Sequence, residues 1–160
     1  MKRDEKVNEM LTQRASSGPN PDARAQALII LASKQWQCAN VITEQKENQT
    51  KEDKGDKIII HYKKPANPGD FDKARQCADE GMKLVEQAVS LNPNSASAWT
   101  YKANLLRERA KLAEMDGNAQ AKADFDKQYA DALEVQKRLT AEEANRKEAE
   151  AAKSPQTPAS

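Results

Sequence analysis

Residues 88–106, Ala-Val-Ser-Leu-Asn-Pro-Asn-Ser-Ala-Ser-Ala-Trp-Thr-Tyr-Lys-Ala-Asn-Leu-Leu, constrain the fold more than any other stretch of this chain. They demand the end of one helix, a rigid turn and the start of another. Pro93 cannot continue a helix and drives Asn92 away from helical dihedrals. Asn94 and Ser95 carry short acceptors suited to capping the next helix. From Trp99 the apolar or small residues fall at Ala103, Leu106, Ala110 and Ala113, the spacing of one helical face. Upstream, Phe71, Ala74, Ala78, Gly81, Val85 and Ala88 form the equivalent face of the helix that ends there. Two helices packed side by side follow.

These residues resemble the tetratricopeptide repeat (TPR) family, whose pattern runs Trp-x2-Leu-Gly-x2-Tyr, then Ala-x3-Phe, then Pro. Trp99, Ala103 and Leu106 stand where the family has its aromatic, Gly and Tyr. Gly81, Val85 and Pro93 stand for its Ala, Phe and Pro, and Lys102 departs where the family has Leu. The resemblance implies an all-α fold of antiparallel helical hairpins, about two repeat units behind a short leading helix. It also implies a role, because the first helices of successive units in that family line a groove that takes a peptide or partner helix. A generic antiparallel helical bundle is the other architecture these residues allow.

Composition narrows the classes. With 160 residues the chain suits one domain. Charged residues at 32%, hydrophobic residues at 38% and few aromatics describe a helix-rich protein with a thin core. The 26 basic and 25 acidic residues leave a net charge of +1. That lacks the basic excess a nucleic-acid or anionic-membrane binder needs. No apolar run approaches the roughly 20 residues of a membrane span. No apolar stretch follows the basic start at residues 1–6, so no secretory signal is expected.

Periodicity predicts five helical pieces. Residues 3–16 form a leading helix carrying Val7, Met10, Leu11 and Arg14, followed by a turn at 16–22. Asn20 as N-cap and Pro21 at the first helical position start a helix running to about Glu47. Leu28, Leu31, Gln35, Cys38 and Ile42 lie along one side of it. A third helix covers about 70–91 and a fourth about 95–115. Gly117 in Asp116-Gly-Asn118 suits a left-handed cap. The fifth begins near Asn118 with Phe125, Tyr129, Ala132, Val135 and Leu139 inward. Thr140-Ala-Glu-Glu143 is a capping box that either restarts a helix or sits within a continuous one. The tail, 153–160, has no core-forming residues and is expected to be disordered. The chain thus divides into a leading helix and turn (1–19), a helical domain (20–140) and a polar helical extension with tail (141–160).

Ala88-Val-Ser-Leu91 matches Ala132-Leu-Glu-Val135 at an offset of 44, which also pairs Val85 with Tyr129. Leu28-x3-Ala32 echoes Trp99-x3-Ala103. These echoes define two hairpin units, 22–91 and 95–139. The match of Asp70-Phe-Asp-Lys73 to Asp124-Phe-Asp-Lys127 has an offset of 54 and breaks the apolar phase, so it is read as chance. The connector, 49–69, is too long for the turn inside a TPR unit. Its first half is polar. Its second half, Lys57-Ile-Ile-Ile-His-Tyr62, is read as a clamp in which Ile58–Ile60 hold the loop on the helices. The alternative is a strand edge that accepts a partner strand.

Catalytic chemistry finds little footing, and no enzyme, cofactor or metal is expected. His61 is the one histidine, Cys38 and Cys77 form no CxxC, and there is neither a Gly-rich phosphate loop nor a GxSxG elbow. Lys51, Lys54, Lys57, Lys63 and Lys64 with Tyr62 form a basic cluster, but Glu52, Asp53 and Asp56 interrupt it, which favours a solvated loop over nucleic acid.

The expected function is a non-catalytic protein-interaction module with a groove lined by helices 22–47 and 95–115. If the resemblance holds, the groove-facing positions are Gln26, Ser33, Trp36 and Gln37 from the first helix, with Ser97, Thr100, Asn104, Arg107 and Glu108 from the second. Asn104 and Arg107, one turn apart, suit a peptide backbone or carboxylate. Trp36 lies off the apolar stripe, as an exposed anchor does. The competing reading is a structural, self-assembling subunit, because repeats need about three units to bury a continuous core. Cys38 and Cys77 should lie at the same height on facing helices. They are read as two free thiols serving as small core residues in a cytoplasmic protein. The alternative is a disulfide, which implies a periplasmic or secreted one.

Overall fold

The structure, a computed structural model, describes residues 2–153. The tail expected to be disordered lies outside the described residues from 154 onward. The fold is mostly helical, with five α-helices and one small β-hairpin. Helix α1 spans Lys2–Ser17 and α2 spans Pro21–Thr43. Gly18 makes their turn possible, since a Cβ there would lie 2.5 Å from the Arg14 carbonyl oxygen. Asn20 caps α2 by accepting the Ala23 N–H at 2.8 Å.

Helix α3 spans Pro68–Leu91, α4 Ala96–Met115 and α5 Ala119–Lys153. Each start has a side-chain cap: Asn67 accepts from Gly69 N, Ser95 from Ala98 N and Asn118 from Ala121 N. Gly117 takes the left-handed conformation at φ 71° to end α4. Helix α5 is continuous through Thr140-Ala-Glu-Glu143, so the capping box there starts nothing new. No helix among the described residues is long and apolar enough to cross a membrane.

Helix α2 packs chiefly against α3, and α4 against α5, while α4 also touches both α2 and α3. The α2–α3 pair is antiparallel: Asn92, just past α3, donates to Asp22 at the start of α2, and Cys38 and Cys77 meet further along. The core is rich in alanine, with Ala32, Ala39, Ala74, Ala78, Ala88, Ala98 and Ala103 all buried. Small residues let the helix axes approach closely. At Gly81 there is no room for a side chain, because a Cβ there would sit 2.7 Å from Leu105 Cδ2 and 3.0 Å from Gln35 Cβ.

Three expectations need correction. Trp99, whose place on the apolar stripe predicts burial between the two units, is only half-buried; its indole N–H donates to the Pro93 carbonyl at 2.9 Å and Lys102 lies over its ring, while Ala98 takes the buried position. An indole at the first turn of a helix can satisfy its N–H on the preceding loop only by staying near the surface. The connector is also not a loop. After a 3-10 turn at Lys46–Asn48, β1 (Gln49–Asp53) pairs antiparallel with β2 (Ile58–Tyr62), Gln49 opposite Tyr62 and Asp53 opposite Ile58. Gly55, at φ 81°, makes the turn. Finally, Ile58 and Ile60 are exposed and do not clamp the hairpin. Strand alternation turns them outward, and His61, Tyr62 and the buried Asn48 hold the hairpin instead. Asn48 donates to the Ile42 carbonyl, and its own carbonyl accepts from Lys63 N.

Candidate functional site

Helices α2 and α4 run beside each other and leave a cavity of about 180 Å³ between them. Trp36 and Asn40 of α2 and Glu44, the residue that caps it, line the cavity at one-turn intervals, and Asn104, Arg107, Glu108 and Lys111 line it from α4. Both sets follow the i, i+3, i+4 spacing that puts residues on one helix face.

The floor is a buried ionic network. Glu108 is 1% exposed. Its carboxylate accepts from Asn40 Nδ2 at 3.0 Å, Thr43 Oγ1 at 2.6 Å and Lys111 Nζ at 2.7 Å. Lys111, also buried, donates to Glu44 Oε1 at 2.6 Å. Glu44 further accepts from Tyr62 Oη and Gln49 Nε2, which joins the hairpin to the groove. Burial works against the Glu44 charge, but the hydrogen bond and charge of Lys111 outweigh it, and its carboxyl is held below the usual range. Burial pushes the Tyr62 phenol up to about 12, helped by the neighbouring Glu44 charge. A buried ion pair survives only when its remaining hydrogen-bonding capacity is met, and here four elements meet it. The floor is therefore preformed.

The rim differs. Arg107 is exposed and Asn104 half-buried beside it, so a guanidinium and a carboxamide stand free to take a carboxylate or peptide backbone. Trp36 is half-buried, edge to face with Tyr101 at 6.1 Å between ring centroids. It does not protrude as an anchor, because α4 brings Tyr101 up against it.

Of the positions expected from sequence, Trp36, Asn104, Arg107 and Glu108 converge on this cavity. Glu108 forms the floor and is not a surface contact. Ser33, Gln37, Thr100, Gln26 and Ser97 do not line it. The Ser33 and Thr100 hydroxyls bond back to the Ile30 and Ala96 carbonyls of their own helices. Gln37 lines a separate surface hollow with Cys38 and Lys73, and Gln26 and Ser97 line another at the opposite end of α2. Sequence reasoning missed Asn40, Thr43, Glu44 and Lys111. The available signal was Glu108 and Lys111 at i, i+3 on a helix whose apolar face was already assigned, with Asn40 and Glu44 one turn apart on α2.

Cys38 and Cys77 are joined in a disulfide, Cα atoms 6.0 Å apart, which overturns the reading as free thiols. Small residues on α3 beside Cys77 permit the approach. The bond also removes both sulfurs from nucleophilic or ligand roles. His61 sits with Nε2 2.9 Å from Glu52 Oε2 and Nδ1 2.9 Å from Glu114 Oε1, linking the hairpin to α4. The hydrogen bonds with Glu52 and then Glu114 raise its pKa above the usual value. Among the described residues, no group of three or more His, Cys, Asp or Glu side chains is placed to hold a metal ion. The chain matches no family model, no curated protein and no solved structure.

Proposed function

We propose that this chain is a non-catalytic protein-interaction module of TPR-like design, which binds a peptide or partner helix in the groove between α2 and α4. The observation that carries the reading is the split of one cavity into a preformed floor and a free rim. Glu108, Lys111 and Glu44 are saturated by their neighbours, while Asn104 and Arg107 keep donors for a ligand. A rigid floor lowers the ordering cost of binding, and a rim of unspent donors confers orientation. The disulfide favours an oxidising compartment as the place of work.

The test is selection of binders from a displayed random peptide library against the full chain, followed by titration of selected peptides on the Asn104→Ala/Arg107→Ala variant. Binding should weaken at least ten-fold, as for loss of hydrogen bonds to a charged group. Selected peptides that bind the variant as tightly as the parent would remove the groove from the proposal.

Self-assembly is the second reading. It is favoured by Val7 and Met10 of α1 and Ile30 of α2, all exposed. Light scattering across a hundred-fold concentration range decides it, since a mass that stays at one chain excludes assembly.

A further inference from the structure

Another side of α4 carries a cleft that the groove reading does not use. It holds about 330 Å³ between α3, α4 and the start of α5, within the lower range of small-molecule pockets. Phe71 and Phe125 line it with Leu112, Ala113 and Ala121. Cations stand over both rings: Lys64 Nζ is 4.8 Å and Arg75 5.7 Å from the Phe71 centroid, and Arg109 is 5.7 Å from that of Phe125. The acids of the lining are already matched. Asp79 accepts from Arg109 Nη2 at 2.7 Å, and Asp116 accepts from Lys64 Nζ at 2.6 Å. Arg109 gives one N–H to Asp79, and the rest of its fork, on a side chain 27% exposed, has no acceptor among the described residues.

We propose that this cleft binds a small organic monocarboxylate with a flat apolar body. The body lies among Phe71, Leu112 and Phe125, and the carboxylate accepts from Arg109. A cation would stand against Lys64, Arg75 and Arg109. A dianion such as phosphate would meet Asp79 and Asp116, whose partners neutralise one charge each. A single carboxylate beside a ring suits both the apolar walls and the open donor.

The experiment uses the full, oxidised chain and 3-phenylpropanoate as probe, followed by backbone amide shifts in NMR titrations. Saturable shifts are expected at Leu112, Ala113 and Ala121. 3-Phenylpropan-1-ol, 3-phenylpropylamine and propanoate should bind at least about ten-fold more weakly, since each lacks the carboxylate or the ring. Arg109→Gln should weaken the probe by a similar factor, and Arg107→Ala, on the groove side, should not change it. Arg109→Lys keeps the charge facing Asp79 but offers no planar fork, and it serves should the Gln variant lose its fold. Full affinity in Arg109→Lys overturns the proposal, as does an equal response to the amine or alcohol, shifts that spread elsewhere, or no saturable binding. Because Arg107→Ala affects only the groove, this outcome and that of the peptide selection fail separately.

Discussion

Glu108 and Arg109 are consecutive residues of α4, yet they live under opposite rules. Glu108 is almost wholly buried and every lone pair that matters is used, by Asn40, Thr43 and Lys111. The Arg109 side chain is 27% exposed, pairs with one acid and leaves a buried N–H unmatched. A helix turns about 100° per residue, so neighbours face different partners. On the α2 side the partners are polar and complete; on the other side they are one acid from α3, Asp79, and one ring from α5, Phe125. A saturated charge acts as scaffold, and an unsaturated one remains available to a ligand.

The largest effect that can break this contrast comes from the saturated charge. Glu108→Leu leaves Lys111 buried with only half-exposed Glu44 opposite it, and strands the Asn40 and Thr43 donors. Removal of one partner from a buried pair costs about 3–5 kcal/mol. Arg109→Ala, with water able to reach part of the side chain, should cost about 1 kcal/mol. Urea unfolding of both variants decides the matter, and equal losses would erase the distinction. The double change Glu108→Leu/Lys111→Met should recover most of the loss, because a well-packed apolar pair can replace a buried ion pair.

Next in size is the disulfide, which fastens the α2 wall of the groove to α3, while the α3 and α4 walls of the second cleft are joined by the Asp79–Arg109 ion pair and packing. Cys38→Ala with Cys77→Ala opens a loop with a sequence separation of 39 and should cost about 2–4 kcal/mol. An unfolding midpoint equal to that of the oxidised parent would mean that packing already does what the bond does.

What was legible in the sequence was local. Pro93, Asn20, Ser95 and Gly117 mark helix ends through backbone chemistry that needs no tertiary partner, and the helices sit within a few residues of those marks. The level of Cys38 and Cys77 followed from antiparallel register alone. The β-hairpin was not legible, because β1, Gln49-Thr-Lys-Glu-Asp53, has no apolar alternation and becomes a strand only by pairing with Ile58–Tyr62. The burial of Glu108 and Lys111 was hidden for a related reason. On one helix they read as a solvated i, i+3 pair, and only Asn40, Thr43 and Glu44, some 65 residues away in the chain, make them a core.

The hairpin gives a smaller and pH-dependent test. His61 is drawn to Glu52 and Glu114, and the pull raises its folded pKa above 6.5. A raised value stabilises fully below the unfolded pKa, and that contribution disappears as pH rises through the folded one. Glu52, lowered chiefly by the hydrogen bond with His61, holds its side of the contact until pH falls below the carboxylate range. The hairpin should therefore be held most tightly below the ordinary histidine value of about 6.5 and above the carboxylate range, and loosen as pH rises through the raised His61 value. Amide hydrogen exchange of β1 and β2, corrected for the intrinsic pH effect, should show this in the parent and not in His61→Gln. Identical profiles in the two proteins would show that Asn48 and Tyr62 hold the hairpin alone.

The smallest effect sharpens the contrast within a single cavity. Asn104 and Arg107 line the same groove as Glu108 but sit at its rim, Asn104 half-buried and Arg107 exposed. They have no hydrogen bond to lose that the floor depends on, since the Glu108 contacts run to Asn40, Thr43 and Lys111. Asn104→Ala/Arg107→Ala should then shift stability by no more than about 0.5 kcal/mol, as for surface positions in general. Alanine also favours the helix more than asparagine does, which offsets part of any loss. A thermal melt of this variant beside Glu108→Leu places the boundary between floor and rim. A loss above about 2 kcal/mol in the rim variant would make these two residues part of the scaffold, and the groove would then have no free donors left for a partner.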